Sequence, residues 1–269
     1  MVWSDWLLQH EVQIRLGFFL GIFSLMAIWE AIKPCRPRLY SRALRWSNNL
    51  ALVALNSLLL RFMFPAAAVG VAHYVHMQGW GFFNLVVLPL WIEVLLAVVI
   101  LDLLIYAQHV VFHKVPILWR LHRVHHADPD YDLTTGIRFH PIEIILSMLI
   151  KFIAIILLGP AAVAVLIFEV LLNGSAVFNH SNVRLPAKLE PLVRFIFVTP
   201  DMHRVHHSWI RSETDSNYGF ALSLWDRLFS TYTDQPVKGH LDMDIGLREF
   251  QEVKQVSWLS GILQLPFKR

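Results

Sequence analysis

The chain has 269 residues, room for one large domain or two small ones, and 56% of them are hydrophobic. With 16% charged residues and a mean hydropathy of +0.50 it is too apolar for an ordinary soluble domain, and its class is integral membrane protein. The net charge of +3 is scattered over short loops and gives no nucleic-acid signal, while a single cysteine, Cys35, excludes an internal disulfide framework, a four-cysteine zinc site and a cysteine-ligated iron–sulfur cluster.

Residues 1–15 carry Trp3 and Trp6 and are expected at the membrane interface. The first apolar run, 16–32, lacks a small-x-small cleavage site and is expected to remain as an anchor. The loop 33–49 holds Lys33, Arg36, Arg38, Arg42 and Arg45 and no acid, which places it in the cytoplasm by the positive-inside rule. A second span, 50–75, contains Arg61 and Pro65 and is expected to kink or break. Arg61 should face protein or water, because a mid-span arginine is costly. The stretch 73–84 has no Lys, Arg, Asp or Glu and belongs on the far side. A third span, 85–108, returns to the cytoplasm, and a polar stretch follows to His140. Two apolar runs, 141–158 and 161–178, flank Gly159-Pro160 and form a hairpin that either crosses the bilayer or re-enters it shallowly. Residues 186–191 look like a turn-rich connector, 217–233 like packing that closes a cap, and the tail after Thr233 is polar and short. The implied division is 1–84 as N-terminal membrane helices, 85–233 as a catalytic domain and 234–269 as a cytosolic tail.

Histidine carries the chemistry. The strings His109-Val-Val-Phe-His113, His122-Arg-Val-His-His126 and His203-Arg-Val-His-His207 place eight imidazoles at one-turn spacing. Residues three and four apart share a helix face, so each string is expected to aim two or three ring nitrogens at one spot. Imidazole suits iron, zinc and copper, and eight nitrogens are too many for one ion and about right for two. Loop charge puts all three strings on one side of the membrane; an odd number of crossings between any two would have separated them. His140 and His180, at the two ends of the hairpin, fall at the same level and are further candidates. Asp102 lies two turns before His109 on one helix face, where it can accept a hydrogen bond from a ligand's outer ring N–H. Glu143 and Asn179, beside the hairpin histidines, are candidates for the same task.

A structural zinc site is closed by four ligands and favours cysteine with histidine, a zincin needs H-E-x-x-H, which is missing, and haem needs one or two histidines. Many neutral nitrogens with few carboxylates fit a non-haem di-iron centre that uses O2 as co-substrate. The alternative is a histidine-rich membrane metal-handling protein, a transporter or sensor, although ligands gathered on one side argue against conduction.

The three histidine strings and their order, with Arg138-Phe-His-Pro141, Asn179-His180 and Asn217-Tyr-Gly219 followed by Trp225-Asp-Arg-Leu-Phe229, resemble the fatty acid hydroxylase superfamily, also called the sterol desaturase family. The resemblance covers residues 92–232, about half the chain. It implies an all-α integral membrane protein of about four to five membrane helices, with a cytosolic helical cap holding a histidine-rich dinuclear metal site. It implies that His109, His113, His122, His125, His126, His203, His206 and His207 bind two iron ions, replaceable by zinc in purified material, that His180 matches a further ligand, and that His140 is a tenth candidate. The activity implied is a non-haem di-iron lipid hydroxylase or desaturase, with hydroxylation favoured on a fatty acyl, sterol or other lipid C–H bond. The expected setting is a bacterial inner membrane or endoplasmic reticulum, with the metal site facing the cytoplasm. Some members of the superfamily carry a fused cytochrome b5 domain with H-P-G-G, a string not present here. Electrons are therefore expected from a separate cytochrome b5-, ferredoxin- or reductase-type donor, and a basic surface around Arg194, Arg204 and Arg211 is expected either to dock an acidic carrier or to face anionic lipid head groups.

Overall fold

Helix boundaries follow the apolar runs and the prolines. A computed structural model of the chain describes residues 3–268, which fold as helices with isolated bridges and, among the described residues, no strand. The chain opens with α1 (Trp3–Gln9), α2 (Glu11–Ile32), α3 (Arg42–Met63) and α4 (Ala68–Met77). Next, α5 (Leu90–Lys114) turns at once into α6 (Pro116–His126), and α7 (Pro141–Leu158) and α8 (Ala162–Asn179) form the hairpin. Short helices complete the cap: α9 (Glu190–Ile196), α10 (Pro200–His206), α11 (Arg211–Thr214), α12 (Leu224–Leu228), α13 (Gly239–Asp242), α14 (Val253–Ser257) and α15 (Leu259–Gln264).

Among the described residues, five segments are long and apolar enough to cross a membrane: Glu11–Ile32, Arg42–Asn84, Leu90–Lys114, Pro141–Leu158 and Ala162–Asn179. α8 is the central one, lined by α2, α4 and α5. Ala68, Val69, Ala72 and Val75 of α4 pack on Ile155, Ala162, Val165 and Leu166 of the hairpin. Ala97 of α5 meets Ala164, two small residues that let the helices approach closely. α2 is apolar nearly all round and buries only Met26 and Glu30, so most of its surface is available to lipid.

The span expected over 50–75 is broken. Pro65 has no N–H and disfavours helical backbone at Phe64, so α3 stops at Met63 and α4 starts at Ala68. Arg61 thereby falls in the last turn of α3 and is exposed.

Parity holds. Asn84 Nδ2 donates to the Gly159 carbonyl at 3.0 Å, so the 78–89 loop meets the hairpin turn at the end remote from the histidines. The loop 33–41 docks on the opposite end: Cys35 N–H donates to the Asn182 carbonyl at 2.8 Å, and Arg36 Nη2 donates to the Met243 carbonyl at 2.7 Å. Arg45 is fully buried and pairs with Asp128 at 2.8 Å and Asp132 at 2.6 Å. Asp130 accepts from the backbone N–H groups of Leu39 and Tyr40. The basic loop and all three histidine strings thus share one end of the bundle. Part of that loop's positive charge is engaged in fastening the cap.

The segment after Thr233 is more than a polar tail. Leu247, Phe250, Val256, Ile262 and Leu265 pack on Leu52, Val124 and Ala127 and form a core beneath α6. These apolar residues fall at irregular spacing over short helices and leave no period to read.

Candidate metal centre

The three strings enter helices for local reasons. α5 extends its apolar run to His109 and His113 before Pro116 starts α6. Thr199 caps α10, accepting from Met202 N–H at 3.3 Å, with Pro200 in the first turn. His180 follows the last residue of α8.

The side chains converge on two spots. His109, His113, His122, His126 and His206 form one group, and His125, His180, His203 and His207 the other; within each, the candidate ligand atoms lie within 4.8 Å of one another. The two H-x2-H-H strings are therefore split between the spots, while His109 and His113 both serve the first. In His122–His126 the i and i+4 residues join the first group while His125 crosses to the second. In His203–His207 the i and i+4 residues join the second group while His206 crosses to the first. Neighbouring residues on a helix are about 100° apart, so H-x2-H-H serves two sites at once.

The outer nitrogens are fixed by acceptors. His109 Nδ1–H donates to the Tyr218 carbonyl at 2.8 Å, His206 Nδ1–H to the Ser216 carbonyl at 2.6 Å and His180 Nδ1–H to the Ala176 carbonyl at 2.8 Å. His122 Nδ1–H donates to Glu143 Oε1 at 2.7 Å. Since carbonyl oxygens only accept, the rings of His109, His206 and His180 carry their protons outward and turn the Nε2 lone pair inward, and Glu143 in its ionised form imposes the same tautomer on His122. Nε2 of His109, His122, His126 and His206 is buried with no hydrogen-bond partner, and Nε2 of His180 lies 3.0 Å from both His125 Nε2 and His203 Nε2. Buried nitrogens are normally paired, so this inward set of orphaned lone pairs fits cations between them.

Burial holds these rings neutral. It pushes His122 and His180 down to about 3, and it depresses His125, His126, His203, His206 and His207 well below the usual range, with neighbouring histidines adding to the effect. Neutral imidazole is the ligating form.

Three of the holding groups are backbone carbonyls, which no side-chain pattern reveals, and one loop sets two of them. Asn217 adopts a left-handed φ of 50°, its Nδ2 donates to the carbonyls of Met202 and Thr233, and its Oδ1 accepts from Thr233 N–H. Asp226 accepts from Tyr218 N–H at 2.8 Å and Gly219 N–H at 2.7 Å. Together they form a hook that aims the Ser216 and Tyr218 carbonyls at His206 and His109. A side chain at Gly219 would place Cβ 2.6 Å from Asp226 Oδ2, so this position needs glycine.

Asp102 does not reach a ligand ring. It accepts from Trp225 Nε1 at 2.8 Å and from Leu222 and Ala221 N–H, tying α5 to the base of the hook. Asn179 donates to the Phe220 carbonyl, while its own carbonyl accepts from Tyr131. His140 stands apart from both groups: it caps α7, its Nδ1 accepting from Ile142 N–H at 3.2 Å, and its Nε2 lies 3.3 Å from the Leu263 carbonyl. Phe139, to which the Arg138–Pro141 string assigns no role, stacks on His125 at 4.6 Å and 9°. The basic docking surface is corrected too. Arg194 and Arg204 are buried, paired with Glu190 and Asp201, and of the three only Arg211 is exposed.

His109, His122 and His125 form one end of a cavity of about 700 Å³ that runs between α2, α3, α5, α7 and α8 into the membrane-spanning part of the bundle. Its walls are mostly apolar, among them Ile105, Phe112, Ile144 and Leu172, so a chain-like apolar molecule could lie in it with a C–H bond against the metal centre.

Residues 94–231 match the profile of a family described as fatty acid hydroxylase. The chain is 28% identical over 237 residues to ornithine lipid hydroxylase OlsE of Rhizobium tropici, covering 84% of this chain and 69% of that protein. It is 34% identical over 176 residues to the alkylglycerol monooxygenase of Xenopus tropicalis, covering 63% of this chain and 37% of that protein. It is 26% identical over 259 residues to a cholesterol 25-hydroxylase-like protein of Danio rerio, covering 86% and 96%. No solved structure matches.

Proposed function

The chain belongs to the fatty acid hydroxylase family, and from that membership we propose that it is a multi-pass membrane monooxygenase which hydroxylates a lipid C–H bond with O2 at a di-iron centre. The observation that carries this reading is the meeting of two features. Nine buried imidazoles form two adjacent groups with inward lone pairs, and three of them close the end of a lipid-sized apolar cavity. The five-membered group would hold one ion and the four-membered group the other. Two iron ions bound there would supply the reduction of O2 and the oxidation of the C–H bond.

The protein's residues do the rest. Glu143 and the carbonyls of Tyr218, Ser216 and Ala176 fix ring tautomers and orientation. The apolar walls exclude water, and Phe139 stacked on His125 restricts that ring. Hydroxylation of a lipid by O2 forms an alcohol and one water and consumes two electrons and two protons. In this reading a donor of cytochrome b5, ferredoxin or reductase type delivers the electrons. The metal centre faces the cytoplasm in this reading, because it shares its end of the bundle with the arginine-rich loop 33–41. Hydroxylation is preferred to desaturation because the similar proteins named above are hydroxylases and a monooxygenase.

Lipid mass spectrometry of cells expressing the wild-type chain or H125A tests the proposal. A lipid that gains one oxygen in the first and not the second is the expected result. A lipid that loses two hydrogens would replace hydroxylation by desaturation. No change in any lipid, with two ions bound per purified chain, would refute lipid oxidation.

A further inference from the structure

The cavity has a second polar end, which the metal centre does not use. Lys151 of α7 and Arg15 of α2 both reach Glu169 of α8, Lys151 Nζ at 2.7 Å and Arg15 Nη2 at 2.5 Å from its carboxylate oxygens. All three line the same cavity as His109, His122 and His125. They lie in apolar spans, where charge is costly and marks function. The side chains of Lys151 and Glu169 are 12% and 7% exposed, and that of Arg15 is 29% exposed at the margin. Pinning helices together needs one cation per carboxylate. Here two cations face one carboxylate at this end of the cavity, and the other carboxylate that lines it, Glu143, lies about two turns of α7 away at the metal end. Glu11, a turn earlier on α2, does not line the cavity, and among the described residues its Oε2 has no hydrogen-bond partner.

The two polar ends are a fixed distance apart. Lys151 lies about two turns, ~12 Å, along α7 from Glu143, which holds His122. Glu169 lies about three turns, ~16 Å, along α8 from His180. The wall between is mostly apolar, with Ile144, Met148 and Leu172.

We propose that Lys151 and Arg15, held in place by Glu169, anchor the anionic group of a single-chain amphiphile, a carboxylate or a phosphate monoester, and so set the oxidised carbon roughly 12–16 Å from that group. This rests on the lipid-oxidising reading and adds a measuring device to it. The substrate lies with its charge at the Lys151 end and a remote part of its chain at the histidines. Oxidation then falls far from the anion rather than beside it.

Binding of myristate, myristyl phosphate and methyl myristate to the purified full chain in nanodiscs tests the anchor, without O2 or reductant. The wild type is expected to bind at least one anion roughly tenfold or more tightly than the neutral ester, as suits a hydrogen-bonded charge. Whether myristate or myristyl phosphate gives the larger ratio identifies the anionic group. K151M should bring the ratio close to one, and K151R should keep it. A purely structural ion pair would lower thermal stability in K151M and leave the ratio alone. Equal binding of anion and ester by the wild type, or an unchanged ratio in K151M, overturns the proposal. If K151M does not fold, R15Q, at the cavity margin, is put to the same comparison with the same criterion. Binding is read apart from turnover, so the two readings fail separately. A chain that discriminates anions and oxidises no lipid loses the oxidase reading alone. One that oxidises a lipid with an unaltered ratio loses the anchor alone.

Discussion

Gly219→Ala is a one-carbon change whose nearest contacts include no histidine, and it should damage the metal centre. The new Cβ would lie 2.6 Å from Asp226 Oδ2, 2.8 Å from the Leu222 carbonyl and 3.0 Å from Val198 Cγ2. Two of these are held in place: the carbonyl is backbone, and the Asp226 carboxylate is gripped by Tyr218 N–H, Gly219 N–H and the Thr231 hydroxyl at 2.8, 2.7 and 2.6 Å. Relief requires either the carboxylate or the 217–219 backbone to move by several tenths of an ångström. Losing the two backbone bonds to a charged acceptor costs about 3–6 kcal/mol at 1.5–3 each. Moving the backbone instead shifts the Tyr218 carbonyl off His109 Nδ1. The expected result in detergent at pH 7.5 is a Tm at least several degrees below wild type and reduced metal per chain, while membrane insertion is unaffected. A G219A protein with wild-type Tm and wild-type metal content would refute the claim that the hook positions His109 and His206.

Other outcomes follow from the same geometry. Glu143→Leu removes the acceptor of His122 Nδ1–H and should weaken metal binding about 10–100-fold, while Glu143→Gln keeps an acceptor oxygen and should weaken it less; chelator competition measures both. Arg45→Met leaves Asp128 and Asp132 buried without their cation and should cost about 3–5 kcal/mol in denaturant unfolding, with substrate binding in the surviving fold little changed. Stability should fall in acid with a defined sign. Burial depresses His122 and His180 to about 3 and His240 to about 4. The unfolded chain takes up protons near 6.5. Below that value the unfolded state binds more protons than the folded state, so stability present at pH 7 is lost as pH falls from about 6.5 towards 3–4. A flat stability profile between pH 7 and 5 would contradict the neutral buried rings.

Much of the bundle was legible because its signals are periodic and strong. Long apolar runs, Pro65 and Gly159-Pro160 give the segments and their breaks, and loop charge gives a parity that the helices obey. The histidine strings were legible as donors, but their partition was not. Spacing says which rings share a face; only the folded arrangement shows that His125 and His206 go to the opposite group from their string neighbours. The roles of Asp102 and Asp226 escaped the sequence because both bind backbone N–H groups, and a carboxylate looks the same whether its partner is an imidazole or an amide. Arg194 and Arg204 counted as surface charge only while their carboxylate partners, Glu190 and Asp201, were out of view. Lys151 and Glu169 are isolated charges in hydrophobic runs, and their meeting across the cavity depends on helix rotation, which the hairpin's weak periodicity leaves open.

Each histidine group takes members from stretches far apart in the chain, one from His109 to His206 and the other from His125 to His207. Neither is complete until the ribosome has passed residue 207 and α10 has folded back beside α5 and α6. Metal ions held by these groups would therefore be captured only late in biosynthesis, after the membrane hairpin is in place. Once captured, the ions act as cross-links that stabilise the finished arrangement by mass action. A chain made without metal would lack those cross-links and be held at this end only by its ion pairs and apolar core.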